Sequence, residues 1–188
     1  MEVLIFDHMD QCSEAEVQRM LPRVSEQRRE QALKYKHLFG QFCCLKSWLM
    51  LEERLRVMGY GLPDFQYNEH GKPYIEGGPY FSISHCKEGI AVAIDDQPIG
   101  IDIEAIRHAN EDLIERTMNE EERVGMDDRK FTRLWTQKEA VVKAEGVGIQ
   151  SFEQLQSIIG NRKSNIETIE KENYIYSIAY GKLCSISA

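Results

Sequence analysis

The sequence predicts an α+β protein of two similar subdomains, each with helices packed on a small antiparallel sheet, and three observations favour this class. Helical patterns and short β-rich segments occur twice, once on each side of about residue 98. The 188 residues, 42% hydrophobic and 29% charged, suit one folded domain or two small ones. No Ser/Gly/Pro-rich linker separates the halves. We therefore expect closely packed subdomains at residues 1–98 and 99–188.

The N-terminal subdomain opens with β-formers followed by a capping signal. Val3 to Phe6 predicts a short strand. Ser13 followed by Glu16 is typical of a capping box, so we expect a short helix that begins there and ends near Pro22.

A second helical region is predicted from Ser25 to Met58. Apolar residues recur there mostly at spacings of three and four, which is the period of one helix face. Gly40 is a candidate break, and Gly59 and Gly61 end the pattern.

Three short β segments lie in the middle of the chain, at Phe81 to Ser84, Ile90 to Ile94 and Ile99 to Glu104. Turn-forming residues at 87–89 and 95–98 separate them. Because consecutive strands joined by short turns pair antiparallel, we expect a meander.

The C-terminal half has helix signals followed by strand signals. Asn119 and Glu122 have capping-box spacing, and Phe131 to Ala144 alternates as a helix before two glycines. The segments Tyr174 to Tyr180 and Leu183 to Ser187 predict a closing hairpin.

Composition limits the class of partner. The formal charge of −8 argues against nucleic-acid binding, which depends on basic patches. The first ten residues have no basic leader, and no apolar run reaches the roughly 18 residues of a membrane span. The five cysteines are odd in number and lack metal-ligand spacing, which fits reduced thiols. We expect a cytoplasmic protein that binds neither nucleic acid nor membrane.

The charge is unevenly distributed. Between Arg19 and Arg56 nine basic residues stand against four acidic ones. Such a segment is either a solvated helix face or a site for a phosphate-bearing or acidic partner.

Two carboxylates stand together in the segment Gly100 to Glu104. If this segment is a strand, Asp102 and Glu104 share one face while Ile101 and Ile103 enter the core. The pair is either the solvent face of an edge strand or a pair of oxygen ligands for Mg²⁺.

A stripe on the predicted C-terminal helix carries a second group. Trp135, Glu139 and Lys143 are four residues apart and lie on one helix face. Glu139 and Lys143 are either a surface ion pair, or a metal or proton ligand beside a cation for a phosphate leaving group.

A third group of polar residues follows the segment Phe81 to Ser84. Ser84, His85 and the preceding Lys72 can all hydrogen-bond phosphate oxygens, although a histidine at a strand end is often only structural. Nothing in the sequence places a base against the neighbouring Cys86, which we interpret as a small core residue.

Four motifs in this order resemble the 4′-phosphopantetheinyl transferase superfamily, in its Sfp-like branch with both halves in one chain. The family patterns are Gly-Lys-Pro, Phe-Asn-Ile-Ser-His-Ser, Gly-Ile-Asp-Ile-Glu and Trp-x-x-Lys-Glu-Ala-x-x-Lys. Here they stand at Gly71 to Pro73, Phe81 to Cys86, Gly100 to Glu104 and Trp135 to Lys143. The resemblance implies two pseudo-twofold-related subdomains with the active site between them.

The resemblance also implies an activity. The phosphopantetheine arm of coenzyme A would be transferred to a serine hydroxyl of an apo acyl or peptidyl carrier protein, and adenosine 3′,5′-bisphosphate would be released. Asp102, Glu104 and Glu139 would hold Mg²⁺ or Mn²⁺ in the C-terminal subdomain, Glu139 would act as the base, and Lys143 would stabilise the leaving phosphate. The enzyme would be a monomer.

Coenzyme A would be bound mainly by the N-terminal subdomain. Lys72, Ser84 and His85 would contact its phosphates or ribose, Arg28 would lie near the 3′-phosphate, and Lys138 matches another recurrent position. The family often has a second arginine where this chain has Phe42-Cys43-Cys44, with Lys46 as the nearest cation.

Two other functions use the same residues. A Mg²⁺-dependent phosphodiesterase or pyrophosphatase would employ the same carboxylates with water as nucleophile. A carrier-protein-binding module would keep the fold without turnover.

Overall fold

The computed structural model describes residues 1–61, 64–146, 148, 152–157 and 165–181. The helices are α1 (Glu14–Met20), α2 (Glu26–Leu33), α3 (Leu38–Val57), α4 (Glu111–Thr117), α5 (Glu120–Arg123), α6 (Asp128–Glu145) and α7 (Phe152–Ser157). The strands are β1 (Glu2–Phe6), β2 (Phe65–Tyr67), β3 (Pro73–Ile75), β4 (Tyr80–Cys86), β5 (Gly89–Asp95), β6 (Ile99–Ala105), β7 (Ile166–Glu170) and β8 (Tyr174–Tyr180). The predicted mixture of helices and antiparallel sheets is confirmed.

The N-terminal part of the chain packs helices on a three-stranded antiparallel sheet of order β1-β5-β4. Phe42, Leu45 and Trp48 of α3 pack with Ile90 and Val92 of β5 in its core. The predicted first strand and first helix are confirmed, and Ser13 caps α1 by accepting from the backbone of Glu16.

The long helical region breaks earlier than predicted. The break lies at residues 34–37, between α2 and α3, and not at Gly40, which lies inside α3. A Cβ at Gly40 would lie 2.6 Å from the ring of Tyr35. The glycine therefore makes room for this ring against the first turn of α3.

The C-terminal part has a second three-stranded antiparallel sheet, of order β6-β8-β7, with α6 against it. The packing is close because of Gly100. A Cβ there would lie 1.9 Å from the carbonyl oxygen of Ala140 and 2.4 Å from the amide nitrogen of Ala144. The backbone of α6 can lie directly on β6 only because residue 100 has no side chain.

The predicted meander is wrong in its third strand. Strands β4 and β5 pair as expected, but β6 pairs with β8, in a register that places Ile99 opposite Tyr180. The turn at 95–98 carries the chain into the other sheet. Strand β8 has β6 on one side and β7 on the other, and the predicted hairpin partner Leu183–Ser187 lies outside the described residues.

The two sheets meet where β4 lies against β6. The amide of Ile101 donates to Oγ of Ser82 at 3.1 Å, and Ala91 and Ala93 of β5 pack with Ile101 and Ile103. Side chains of β4, β6 and α6 therefore converge at this junction. Among the described helices, none has the length and apolar character needed to span a membrane.

Candidate active site

A hydrogen-bonded cluster lies at the junction, with one side chain from each of three elements. Nζ of Lys143 lies 2.6 Å from Oδ1 of Asp102 and 2.9 Å from Oγ of Ser84. The Ser84 hydroxyl also donates to Oδ1 of Asp102 at 2.7 Å. Asp102 is only 3% exposed, so its carboxylate depends on these two donors in place of water.

Strand geometry places the carboxylates of β6. Ile101 and Ile103 are fully buried in the core, while Asp102 and Glu104 belong to the opposite face, as the alternation predicts. Ser82 and Ser84 of β4 alternate in the same way, and both face β6. The edge between the sheets is therefore lined with hydroxyl and carboxylate oxygens.

Helix α6 presents the predicted stripe to this edge. It begins at the cap Asp127, whose side chain accepts from the backbone of Lys130, and ends at Gly146 with a left-handed φ of 74°. Lys143 lies in its last turn, where a cation is favoured by the helix dipole. Thr136, on the sheet-facing side, is hydrogen-bonded at 2.8 Å to Ser177 of β8.

Burial and neighbouring negative charges raise the pKa values of Glu139 and Glu104. Burial first, and then the charge of Asp102, raise the pKa of Glu139 from 4.5 to about 7, while Lys143 opposes the rise. Burial and Asp102 also raise the pKa of Glu104. Glu139 is therefore poised to hold or release a proton near neutral pH.

The donor set fits a hard divalent cation. Oδ2 of Asp102 is buried and has no hydrogen-bond partner within the part of the chain that the structure describes, and the charges of Glu104 and Glu139 act on the same region. Buried carboxylates that repel one another are stabilised by a shared cation, and carboxylate oxygens suit Mg²⁺. Within the described residues no group of three acidic, histidine or cysteine side chains is already arranged around a common metal position.

A cavity of about 450 Å³ opens beside the cluster. One wall comes from the turn between β2 and β3, with Lys72, and the other from α6, with Glu139 and Lys143. The Lys72 ammonium donates to the backbone carbonyl of Lys143. Burial and the nearby Lys143 charge lower the pKa of Lys72 to about 8.

The known proteins that are similar to this chain belong to one family. The model of the 4′-phosphopantetheinyl transferase superfamily matches residues 98–182. A 4′-phosphopantetheinyl transferase of Bacillus subtilis is 31% identical over 156 residues, which cover 76% of this chain and 69% of the relative. The chain belongs to the 4′-phosphopantetheinyl transferase superfamily.

Two further relatives agree. The transferase Gsp of Aneurinibacillus migulanus is 29% identical over 170 residues, 79% of this chain and 71% of the relative. Sfp of Bacillus subtilis strain 168 is 28% identical over 155 residues, 76% of this chain and 69% of the relative. The chain is a 4′-phosphopantetheinyl transferase, and its family implies coenzyme A and an apo carrier protein as substrates.

Two residues predicted to bind coenzyme A, His85 and Arg28, lie outside the cluster of Lys143, Asp102 and Ser84 and are not among the described residues that line its cavity. His85 is exposed at the end of β4, with its ring 6.2 Å from that of Phe39. Neighbouring atoms shield the imidazole from water, and this desolvation, followed by the positive charge of Lys143, lowers the pKa of His85. The negative charge of Asp102 partly offsets the decrease. Arg28 lines a different cavity of about 400 Å³, where it stacks 3.3 Å above the Trp48 ring and donates to Tyr67.

Lys138 does not belong to the coenzyme-binding group. Its side chain is fully buried, and Nζ donates to the carboxylate of Glu122 at 2.6 Å and to the carbonyls of Thr117 and Leu155 at 2.8 and 2.7 Å. These acceptors occupy all three ammonium hydrogens. The structure therefore corrects this prediction, and Lys138 ties α6 to α4, α5 and α7.

Sequence reasoning missed the short hairpin of β2 and β3, whose turn forms a wall of the cavity. Its strands have only three residues each, too few for a periodicity signal. The turn-forming residues Asn68 and Gly71 are the sequence signal that could have indicated this hairpin.

Proposed function

We propose that this transferase moves the phosphopantetheine arm of coenzyme A to a serine of an apo acyl or peptidyl carrier protein at the Asp102 cluster. The observation that carries the proposal is the buried Asp102 carboxylate, paired through Oδ1 with Lys143 and Ser84, while Oδ2 has no partner among the residues that the structure describes. It lies between the two sheets and beside a cavity with cations on both walls.

Asp102, Glu104 and Glu139 would hold Mg²⁺ or Mn²⁺. Support comes from Oδ2 of Asp102, which has no hydrogen-bond partner among the described residues, and from the raised pKa values of Glu104 and Glu139. When bound, the ion supplies positive charge to the pyrophosphate of coenzyme A. The protein contributes a buried, preorganised set of oxygen ligands.

Glu139 would act as the base. Its carboxylate can take the proton of the incoming serine hydroxyl, directly or through a water. The serine oxygen forms a bond to the pantetheine-bearing phosphorus. The bond from that phosphorus to the bridging oxygen breaks, and adenosine 3′,5′-bisphosphate leaves with the electron pair.

Cations would neutralise the charge that develops on the departing phosphate. Lys143 lies at the cluster with a 29% exposed side chain, so it can reach a phosphate in the cavity. Lys72, Ser84 and His85 would contact the coenzyme phosphates or ribose. Arg28 would bind the 3′-phosphate only if the coenzyme extends toward the second cavity, past the hairpin that contributes Tyr67.

We also propose the domain division at residues 98 and 99, with a pseudo-twofold relation between the parts, and a cytoplasmic monomer. Each part contributes one three-stranded antiparallel sheet with a long helix against it, α3 or α6. Each also provides one wall of the cavity, which supports a complete site within a single chain.

Metal binding tests the assignment of the carboxylates. Titration with Mn²⁺ in the presence of coenzyme A, followed by electron paramagnetic resonance, should show one site in the wild type. Asp102→Asn should weaken this site by at least tenfold, whereas Glu121→Gln, which alters an exposed carboxylate on α5, should not. Equal affinities in all three proteins would reject Asp102 as a ligand.

A further inference from the structure

The hairpin of β2 and β3 is anchored at both ends, in different halves of the chain. At its base, the ring of Phe65 lies 4.3 Å from that of Trp48 and 5.7 Å from that of Phe81, within the N-terminal core. At its tip, the turn of residues 68–72 contacts the end of α6. The hairpin therefore bridges the two parts that enclose the cavity.

Asn68 organises the turn and makes the contact to α6. Its Oδ1 accepts from the backbone amides of His70 at 3.0 Å and Lys72 at 2.8 Å. Its Nδ2 donates to the carbonyl oxygen of Gly146 at 3.0 Å. One side chain thus fixes the turn with its oxygen and attaches it to the helix with its nitrogen.

The end of α6 is suited to receive this contact. The last carbonyls of a helix lack intrahelical donors, and the turn supplies two, from Asn68 to Gly146 and from Lys72 to Lys143. A Cβ at Gly146 would lie 3.4 Å from Cδ of Lys72 and 3.7 Å from Nδ2 of Asn68. The turn therefore packs tightly against the glycine that ends the helix.

The joined surfaces are also the walls of the cavity. His70, Gly71 and Lys72 lie on one side, and Lys143 and Gly146 lie on the other. We propose that Asn68 is a positioning residue that sets the separation of these walls, and with it the fit of the coenzyme phosphates between Lys72 and Lys143. This inference rests on the proposed use of the cavity for coenzyme A.

Two variants of Asn68 separate its two contacts. Asn68→Asp keeps an oxygen for the turn amides but replaces the donor to Gly146 with a carboxylate oxygen, which repels the carbonyl. Asn68→Ala removes both contacts. The control is Glu69→Gln, which changes a side chain in the same turn that is 87% exposed.

The measurements are the affinity of the metal-free protein for coenzyme A by calorimetry, and kcat and KM in carrier modification. We expect Asn68→Asp and Asn68→Ala to raise Kd and KM for coenzyme A about tenfold, because the first variant loses one hydrogen bond at this wall and the second loses three. We expect kcat to stay within about twofold, because Glu139 and Lys143 remain on α6, and Glu69→Gln to match the wild type.

Two results would overturn the inference. One is an unchanged Kd and KM in both Asn68 variants. The other is a fall in kcat and melting temperature with Kd unchanged, which would make Asn68 a purely structural residue. The binding arm needs no turnover, so failure of the inference is distinguishable from failure of the proposed function, which would show as absence of carrier modification by the wild type.

Discussion

Two lysines of α6, five residues apart, have opposite environments. Lys138 has no exposed surface, and three acceptors from α5 and the ends of α4 and α7 surround its ammonium. Lys143 is 29% exposed and lies at the edge of a cavity, paired with Asp102 and Ser84. A satisfied, enclosed cation holds elements together, whereas a partly exposed cation beside a buried carboxylate can act on a ligand.

The same contrast applies to their partner carboxylates. Oε2 of Glu122 accepts from the ammonium of Lys138 and from the backbone amide of Asn119 in a capping box. The negative charge of Glu122 is therefore paired with groups of the fold itself. Asp102 retains a buried oxygen, Oδ2, for which the described residues provide no hydrogen-bond donor. A buried oxygen without a hydrogen bond lowers the stability of the fold, and proteins tolerate such a loss mainly at functional sites.

The largest effect is expected from Lys138→Met. It leaves the Glu122 carboxylate and two carbonyls without their donor, which costs about 3–5 kcal/mol of unfolding free energy. For a chain of this size that corresponds to a fall of roughly 10 °C in Tm. Calorimetry checks the fall, and activity well below Tm should be nearly normal. A stable but inactive variant would contradict the structural role.

Lys143→Met should show the reverse pattern. We expect kcat to fall by about 10²–10³, the usual effect of removing a group that stabilises developing charge. The stability loss should be smaller, about 1–2 kcal/mol, because the lost ammonium is partly exposed and Ser84 still donates to Asp102. Steady-state kinetics and thermal unfolding, measured on the same variant, test whether kcat falls more than stability. A loss confined to the KM for coenzyme A would reassign Lys143 to binding.

Asp102→Asn probes the carboxylate in the same cluster. It keeps the shape of the side chain and an oxygen for Ser84 and Lys143, so we expect Tm to change by less than about 3 °C. Turnover should fall by at least about 10² because a metal ligand is lost, and raising the Mg²⁺ concentration should recover part of it. Parallel losses of Tm and turnover would contradict this account.

The smallest expected effect is a change in the Tm of the metal-free protein, for Glu139→Gln at different pH values. The folded-state pKa of Glu139 is raised from 4.5 to about 7, so the folded protein holds this proton more tightly than the unfolded chain. The stability that this group contributes is therefore present at low pH and lost as pH rises through about 7. In metal-free protein, Glu139→Gln should raise Tm by roughly 2–4 °C at pH 8, for about 1 kcal/mol regained, and by less at pH 5. A variant that is less stable at pH 8 would contradict this sign.

Local chemistry predicted those parts of the fold that depend on neighbouring residues. The Ser13 cap, the capping box of Asn119 and Glu122, and the left-handed Gly146 that ends α6 are all confirmed. Each involves residues within four positions of one another, and such signals can be read along the chain. The alternation of β6 likewise predicted which of its side chains enter the core.

Long-range pairing could not be read in this way. The turn at 95–98 is compatible with a hairpin, yet β6 pairs with β8, which follows about 70 residues later in sequence order. Helical spacing places Lys143, but not Lys138, on the same helix face as Glu139, although both lysines belong to one motif. The spacing does not reveal what surrounds Lys138, and only the packing of α4, α5 and α7 around it shows its structural role.

The most direct test of the central claim is intact-mass spectrometry of apo acyl and peptidyl carrier proteins after incubation with this transferase, coenzyme A and Mg²⁺. The proposed site predicts a gain of one phosphopantetheine by wild type and by Lys138→Met below its Tm. It predicts none with EDTA, and a rate at least about 10² lower for Glu139→Gln and Lys143→Met. Full modification by Glu139→Gln, or wild-type modification that EDTA leaves intact, would contradict the assignment of the reaction to this cluster.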